Sequence, residues 1–373
     1  MKRILQVFGT MNCGGAETML MNIYRNIDRN KIQFDFLVNC EDASNPPKGF
    51  YDDEIISLGG RIVYIDSQGT SGLKKYISEL TEFFKSHNYE IVHSHMDWLG
   101  GTVAYAAKKA GVKKIIVHSH TMKMSKSGVV FKAFLFLQKL FIKKCATDFW
   151  GCSEFATKFL FGNNKKSLVI PNAIFLDKFI SPDIDIVNEI KNEYKKNTET
   201  ILIGHVGTFS SVKNQLFLVE IAKRLKEDNI DFSMVLVGKN DTEYAEKVFQ
   251  KISEYGLEKN VFCPGLRSDI YNFMNAIDVF CFPSIYEGLG MVAIEAQAGG
   301  AYCIASDKVP ESIDVGLNLT DFVSADNPEN WAGKILDAVD KKIPEKSEIF
   351  EILSYNGYDI EKSARLVEEL YLC

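Results

Sequence analysis

The sequence predicts an α/β protein made of two doubly wound parallel-sheet domains, and three observations carry that expectation. Short β-rich apolar runs alternate with amphipathic helical stretches from one end to the other. The alternation is interrupted once, in a charged segment over residues 172–200 flanked by Pro171 and containing Pro182, and it restarts at Ile201. The length, 373 residues, exceeds what one hydrophobic core usually organises.

In the first half the strand candidates are Ile4–Phe8, Phe34–Val38, Ile62–Ile65, Ile91–His93, Ile115–His118, Asp148–Gly151 and Leu168–Ile170. Helical stretches lie between them, such as Ala16–Ile27 with apolar positions at 19, 20, 23, 24 and 27. The second half offers Ile201–Val206, Met234–Val237, Asn260–Phe262, Val279–Phe282, Tyr302–Ala305 and Asp321–Val323. Repeated strand–helix–strand units imply parallel sheets with helices on both faces. The charged segment reads as a linker plus a polar helix, giving domains over 1–175 and 176–354. A last helix, Ile360–Leu372 within 355–373, can pack on either domain. Small residues after the first strand of each half, Gly9 and Gly207, put the strand carboxyl ends at a common cleft, where such sheets bind ligands. The runs 45–47 and 123–126 read as loops.

Apolar residues make up 46% and charged residues 25%, as in ordinary globular proteins, and the net charge of −6 argues against a nucleic-acid partner. Eight cysteines (13, 40, 145, 152, 263, 281, 303 and 373) are scattered without a C-x-x-C pair, which implies reduced, mostly buried thiols rather than a disulfide framework or zinc site. The apolar run in Met1–Phe8 is too short for a signal peptide, and no segment reaches the roughly 18 apolar residues of a membrane span. A soluble, cytoplasmic protein is expected.

The run Pro283 to Glu295 carries the most specific chemistry. A strand ends at Phe282, a loop holds Glu287, Gly288, Leu289 and Gly290, and a helix opens near Met291 and Val292. Glycines let backbone N–H groups approach a ligand, and a helix N-terminus favours negative charge, so a diphosphate is the natural ligand. Glu287 can accept from sugar hydroxyls, and Glu295, about a turn into the helix, from both hydroxyls of a ribose. An isolated pair of glutamates at this spacing would read as solvated surface; the surrounding Pro-Ser, Gly-x-Gly and Glu-Ala favour a site.

Four other segments add to it. Gly14 and Gly15 sit between a strand and a helix, without the G-x-G-x-x-G spacing or ribose-binding acid of a dinucleotide site. Lys213 follows the first strand of the second half, either as a solvated loop lysine or as a cation for a diphosphate leaving group. His118 and His120 alternate on one side of a strand, as do His93 and His95, for which a structural role is the plainer reading. Residues 126–144 are apolar, aromatic and punctuated by lysines, which suits a buried helix or one lying at an anionic membrane surface with Lys132, Lys139 and Lys143 at the headgroups. No Asp-x-Asp motif sits where a metal–diphosphate site would need it, and no His/Cys cluster suggests another metal.

Taken in order, Gly14–Glu17, Val117–His120, Pro171-Asn172, Gly207–Asn214, Gly265–Asp269 and Glu287–Glu295 resemble the retaining family-4 glycosyltransferases of the GT-B fold, two Rossmann-like domains facing a central cleft. The likeness covers essentially the whole chain and is nearest to the bacterial members that build exopolysaccharide or capsule units. It implies transfer of a hexosyl or N-acetylhexosaminyl unit, with retention, from a nucleotide sugar, chiefly a UDP-sugar, to a glycan or polyprenyl-linked acceptor, without a metal or cofactor. It implies an acceptor domain followed by a donor domain. Gly14 and Gly15 would lie against the donor diphosphate, and His120, with His118 in reserve, would contact the donor sugar. The family usually carries an arginine where this chain has Thr208, which makes Lys213 the principal phosphate cation and draws Arg267 toward the nucleotide. Competing readings are an epimerase or phosphorylase on the same fold, a non-catalytic nucleotide-sugar-binding protein and, least favoured, an NAD enzyme.

Overall fold

The computed structural model describes residues 1–12, 14–121, 128–163 and 166–373. Cys13, the loop candidate 123–126 and residues 126–127 of the lysine-punctuated segment lie outside them. The chain forms two units, one of Met1–Ala173 with Gly357–Cys373 and the other of Ile174–Asn356.

The first unit is a parallel sheet of seven strands: β1 (Lys2–Phe8), β2 (Ile32–Cys40), β3 (Ile62–Asp66), β4 (Ile91–Ser94), β5 (Lys114–Ser119), β6 (Asp148–Gly151) and β7 (Ser167–Val169). They lie in the order β3-β2-β1-β4-β5-β6-β7. Every residue of β2 is buried, as a strand covered on both faces requires. On one face Leu5, Val7, Val92, Ile115 and Val117 pack with Tyr76, Leu80, Phe84, Val103 and Ala107 from the helices Leu73–His87 and Gly100–Ala110. Each such large apolar side chain removed from water contributes about 1.5–3 kcal/mol.

The opposite face is unusual. Gln6 and His93 are register partners, and the two-residue period puts His95, His118 and His120 on the same side. The last helix, Ile360–Leu372, lies in this unit and buries Ile360, Ala364, Val367 and Tyr371 along one stripe. Its Glu368 accepts from the Asp28 amide (3.0 Å) and Lys31 Nζ (3.1 Å).

In the second unit β8 (Ile201–Val206), β9 (Phe232–Val237), β10 (Val261–Gly265), β11 (Val279–Phe282), β12 (Tyr302–Ser306) and β13 (Thr320–Val323) form a parallel sheet in the order β10-β9-β8-β11-β12-β13. In each sheet the strand order reverses once, between β1 and β4 and between β8 and β11. Such reversals splay the connecting loops apart and make room for a ligand.

The charged segment 172–200, expected as a linker plus a polar helix, packs from Ile174 onward as part of the second unit. It contains the helices Leu176–Ile180 and Ile184–Tyr194, which bury Leu176, Phe179, Val187, Ile190 and Tyr194 in the second unit. Its charges mask a stripe at 187, 190 and 194. The lysine-punctuated segment forms the helix Val129–Cys145, with Gln138, Ile142 and Cys145 buried. Val129, Val130 and Phe136 are 84%, 85% and 71% exposed. Lys139, expected among the headgroup lysines, instead turns inward, donating to the Phe159 carbonyl at 2.7 Å, and burial lowers its pKa. Among the described residues no helix is long and apolar enough to cross a membrane. The described cysteines are free; Cys263 is half-buried and Cys373 exposed, the others buried.

Candidate active site

In the second unit the loops after β8 and β11 leave adjacent strands at the reversal point and are tied together. The Ile285 amide donates to the Val212 carbonyl (2.8 Å), and Asn214, in the left-handed region at φ 59°, donates to the Pro283 carbonyl (3.4 Å). Lys213 Nζ reaches Glu287 Oε1 at 2.6 Å and lies over the Phe282 ring. Beneath the first loop, His205 donates from Nδ1 to the Cys281 carbonyl (2.9 Å), and Gln215 Nε2 lies 3.2 Å from His205 Nε2 and from the Thr208 carbonyl. Gln215 and His205 are fully buried polar groups, so the loop rests on fixed hydrogen bonds rather than on solvent.

Gly290 caps the helix Met291–Gly299 at φ 67°, and a Cβ there would stand 2.9 Å from Ile313. The backbone is therefore glycine-dependent at the point where the first-turn amides of Met291 and Val292 become free. Around Gly288 a Cβ would meet nothing within 4 Å, and Leu289 is half-buried. Glu295 is half-buried, has no hydrogen-bond partner among the described residues, and is pushed up to about 7 by desolvation. A carboxyl in that state is poised to ionise when donors arrive.

Arg267 is paired, and Thr208, as expected, is uncharged. The Arg267 guanidinium is held bidentate by Asp269, at 2.9 and 2.7 Å, and belongs to the loop after the edge strand β10. Its fork is occupied, so it braces that loop rather than presenting a free cation. Thr208 is exposed and supplies no charge.

In the first unit Gly14 is the N-cap of Gly15–Asn26, and the Glu17 side chain folds over it, 2.4 Å from where a Cβ would stand. Glu17 accepts from the Thr10 hydroxyl (3.1 Å). Asn172 Nδ2 donates to the Gly15 carbonyl (3.4 Å), which gives the Pro171-Asn172 segment a concrete task, fixing the first turn of that helix. A cavity of about 620 Å³ opens beside the ends of β1, β2 and β3, bordered by Asn12, Asn39, Asp42, Pro47 and Tyr64.

At the other side of β1 the four histidines in and just after β4 and β5 meet. His93 Nε2 lies 3.2 Å from His118 Nδ1, and His95 Nδ1 lies 2.9 Å from His120 Nε2. His93, His95 and His118 are buried, and desolvation holds all three well below the usual imidazole value. His120 is lowered to about 4 by burial, opposed by the charge of Asp97. Asp97 also pins the end of β5, accepting from the His120 amide (2.6 Å) and the Thr121 hydroxyl (2.7 Å). His118, the reserve candidate, is wholly inside the sheet packing, which leaves His120 as the histidine at the strand end.

The sequence offered no His cluster because the paired histidines stand 25 positions apart, yet His93, His95 and His118 bring nitrogens within 4.8 Å of one another. The geometry suits hydrogen bonds better than a metal. The His93 and His118 rings are parallel within 5°, and their centroids, 5.3 Å apart, exceed the nitrogen separation by about one ring breadth. The two nitrogens thus point at each other along one line, whereas two ligands of one ion direct their lone pairs to a common point off that line.

Gln6, Asp97, His205, Gln215 and Tyr371 were not picked out from the sequence. Gln6 alone left a trace, as the polar residue inside the apolar run Ile4–Phe8.

Comparison with known proteins identifies the chain. Residues 13–178 match the Glycosyltransferase Family 4 model, and residues 187–357 match Glycosyl transferases group 1. EpsF of Bacillus subtilis (strain 168) is 36% identical over 99% of this chain and 96% of its own length. The chain belongs to the family 4, group 1 glycosyltransferases. This glycosyltransferase is also similar to the capsular polysaccharide biosynthesis glycosyltransferase CapH of Staphylococcus aureus (29% identity; 100% and 99% of the two chains). A third relative is the UDP-Gal:alpha-D-GlcNAc-diphosphoundecaprenol alpha-1,3-galactosyltransferase of Escherichia coli (28%; 91% and 89%). Among solved structures, Anabaena HepE in complex with UDP superposes with a TM-score of 0.79 at 18% identity, covering 100% of this chain and 99% of that one. The enzyme is thus a glycosyltransferase built, like its structural neighbours, from two Rossmann-like domains of the GT-B class.

Proposed function

We propose that this glycosyltransferase moves a hexosyl or N-acetylhexosaminyl unit from a UDP-sugar to a glycan or polyprenyl-diphosphate-linked acceptor in exopolysaccharide or capsule assembly, with retention at the anomeric carbon. The relatives' names support the pathway and the lipid-linked acceptor, and the UDP complex of the structural neighbour supports the nucleotide. The observation that carries the reading is the Lys213–Glu287 pair on two mutually tied loops beside the open N-terminus of Met291–Gly299.

In this reading the second unit binds the donor. Lys213 and the amides of Gly288 to Val292 stabilise the departing diphosphate, Glu287 accepts from sugar hydroxyls and Glu295 from the ribose. Arg267 shapes the nucleotide border through its bond to Asp269. In the first unit Gly14 and Gly15 allow close approach of the diphosphate and sugar, and His120 contacts the sugar. The acceptor's hydroxyl-rich glycan suits the Asn- and Asp-bordered cavity beside β1–β3, since amides both donate to and accept from hydroxyls and carboxylates accept from them. The acceptor hydroxyl attacks C1 on the face from which the C1–O bond to the diphosphate breaks, and its proton passes to a departing diphosphate oxygen. No metal or cofactor is assigned a step. The enzyme works in the cytoplasm, with the exposed Val129, Val130 and Phe136 and the acid-free helix around them resting on the anionic inner leaflet.

The test is transfer of radiolabel from UDP-hexoses and UDP-N-acetylhexosamines to membrane-extracted or synthetic undecaprenyl-diphosphate sugars, with the product's anomeric configuration read by NMR. An α-linked product from an α-linked donor supports the proposal. Tight UDP binding without transfer to any such acceptor would leave only a nucleotide-sugar-binding protein.

A further inference from the structure

Gln6 is a fully buried amide in an apolar strand, and its carboxamide touches two chains of side chains at once. Its Nε2 lies 3.1 Å from the Tyr371 hydroxyl, and its Oε1 lies 2.9 Å from His95 Nε2. Beyond Tyr371 come His93 and then His118; beyond His95 comes His120. An amide has a donor end and an acceptor end, and a neutral imidazole has one nitrogen of each kind, so the orientation of Gln6 dictates the direction of every bond that follows.

Bond lengths select the direction. O–H donors make the shorter hydrogen bonds, about 2.7–2.8 Å, and N–H donors the longer, about 2.9–3.0 Å. The Tyr371 hydroxyl lies 2.5 Å from His93 Nδ1 but 3.1 Å from Gln6 Nε2. The phenol therefore donates to His93, and the Gln6 amide nitrogen donates to the phenol oxygen. Gln6 Oε1 is left to accept, so His95 carries its proton on Nε2 and a lone pair on Nδ1. His120 then donates from Nε2 into that lone pair and keeps a bare Nδ1. On the other branch His93 donates from Nε2 to His118 Nδ1, and His118 ends with a proton on Nε2. The two terminal atoms, His120 Nδ1 and His118 Nε2, are both buried without a hydrogen-bond partner among the described residues. A lone acceptor in that condition is unfavourable until something donates to it.

We propose that Gln6 is a positioning residue of the transferase: through His95 it holds His120 as the Nε2–H tautomer, so that His120 offers a sugar hydroxyl an acceptor at Nδ1, and Tyr371 keeps Gln6 turned the right way. The part played in transfer rests on the reading of His120 as a sugar contact; the tautomer assignment does not. The arrangement explains why a tyrosine from the last helix reaches a strand 365 positions earlier in the chain.

The experiment is nitrogen NMR of the enzyme labelled with 15N-histidine, alongside steady-state transfer. In the wild type His93, His95 and His120 are expected to be protonated on Nε2. Gln6→Met keeps the volume and deletes the amide; both tautomers of His120 should then appear, with kcat lower by roughly fivefold to tenfold and donor KM nearly unchanged, as for one hydrogen bond strengthened in the transition state. Tyr371→Phe removes one hydroxyl, frees Gln6 to turn and should mix the His120 tautomers as well. Gln6→Glu keeps an acceptor toward His95 and should restore both tautomer and rate relative to Gln6→Met. A wild-type His120 protonated on Nδ1, or tautomers unmoved in Gln6→Met and Tyr371→Phe alike, overturns the assignment. Mixed tautomers with an unchanged kcat overturn the role in transfer and, with it, the sugar contact of His120.

Discussion

The two strand-order reversals handle charge in opposite ways. Between β8 and β11 opposite charges meet, Lys213 against Glu287, on loops held by backbone bonds. Between β1 and β4, and on to β5, four imidazoles are kept neutral by burial and linked to an amide and a phenol. A paired cation can exchange its carboxylate for a phosphate, whereas a neutral ring network can meet hydroxyls without attracting an anion. The same topology thus supports one half suited to a charged leaving group and another suited to uncharged sugar.

The largest effect expected follows from the pair. Lys213→Ala and Glu287→Ala should each lower kcat/KM by about 10²–10³, the usual loss for a group stabilising charge in the transition state. Because the two residues touch, the double variant should fall well short of the product of the single losses; strict additivity in steady-state kinetics would mean that they do not act together.

Next comes acid stability, which should separate the units. A buried histidine whose folded pKa is depressed adds stability that is present above the ordinary value near 6.5 and lost as pH falls toward the folded value. For His120, lowered to about 4, that is roughly 3 kcal/mol across the window from 6.5 to 4. The first unit has four such rings and the second only His205, also lowered to about 4. Tryptophan emission can tell them apart, since Trp98 and Trp150 report on the first unit and Trp331 on the second. With Trp331→Phe the transition should move to lower temperature between pH 7 and 5; with Trp98→Phe/Trp150→Phe it should move less.

Glu295 has the opposite sign. Its folded pKa is raised to about 7, so its own contribution to folding declines as pH rises from its ordinary value near 4.5 through 7. If ribose hydroxyls favour the ionised form, calorimetry should find UDP-glucose binding about tenfold tighter at pH 8 than at pH 6, and Glu295→Gln should flatten that slope. The smallest effect should be Thr208→Arg, which returns a cation at an exposed position; a drop of roughly twofold to fivefold in donor KM is expected from one solvent-screened charge.

The loop proposed to hold the donor stood out because its residues are contiguous: Glu287, the glycines and Glu295 fall within one strand–loop–helix passage. Lys213 required only one neighbouring strand. The histidine network was not readable, because His93, His118, Gln6 and Tyr371 meet only once register and the packing of a distant helix are fixed. The segment 172–200 was read as a linker plus a polar helix, and its share in the core escaped that reading for a related reason. Its apolar positions 187, 190 and 194 are a regular stripe, but the intervening charges dominate composition. Arg267 shows what contiguity leaves out: the sequence displays the cation, and only the structure shows its fork engaged by Asp269, two positions away.

The chain leaves the first unit after Ala173 and returns to it at Gly357. A ribosome making this protein would therefore complete the second sheet before releasing the helix that covers Gln6 and the histidines. Until then Trp150, His93 and their neighbours lack the Tyr371 side of their packing, and the first unit waits, half-finished, for a helix translated after the whole second unit. Non-local closure of this kind is slow and leaves apolar surface open to association, so chaperone dependence during synthesis should fall on the amino-terminal unit although it emerges first.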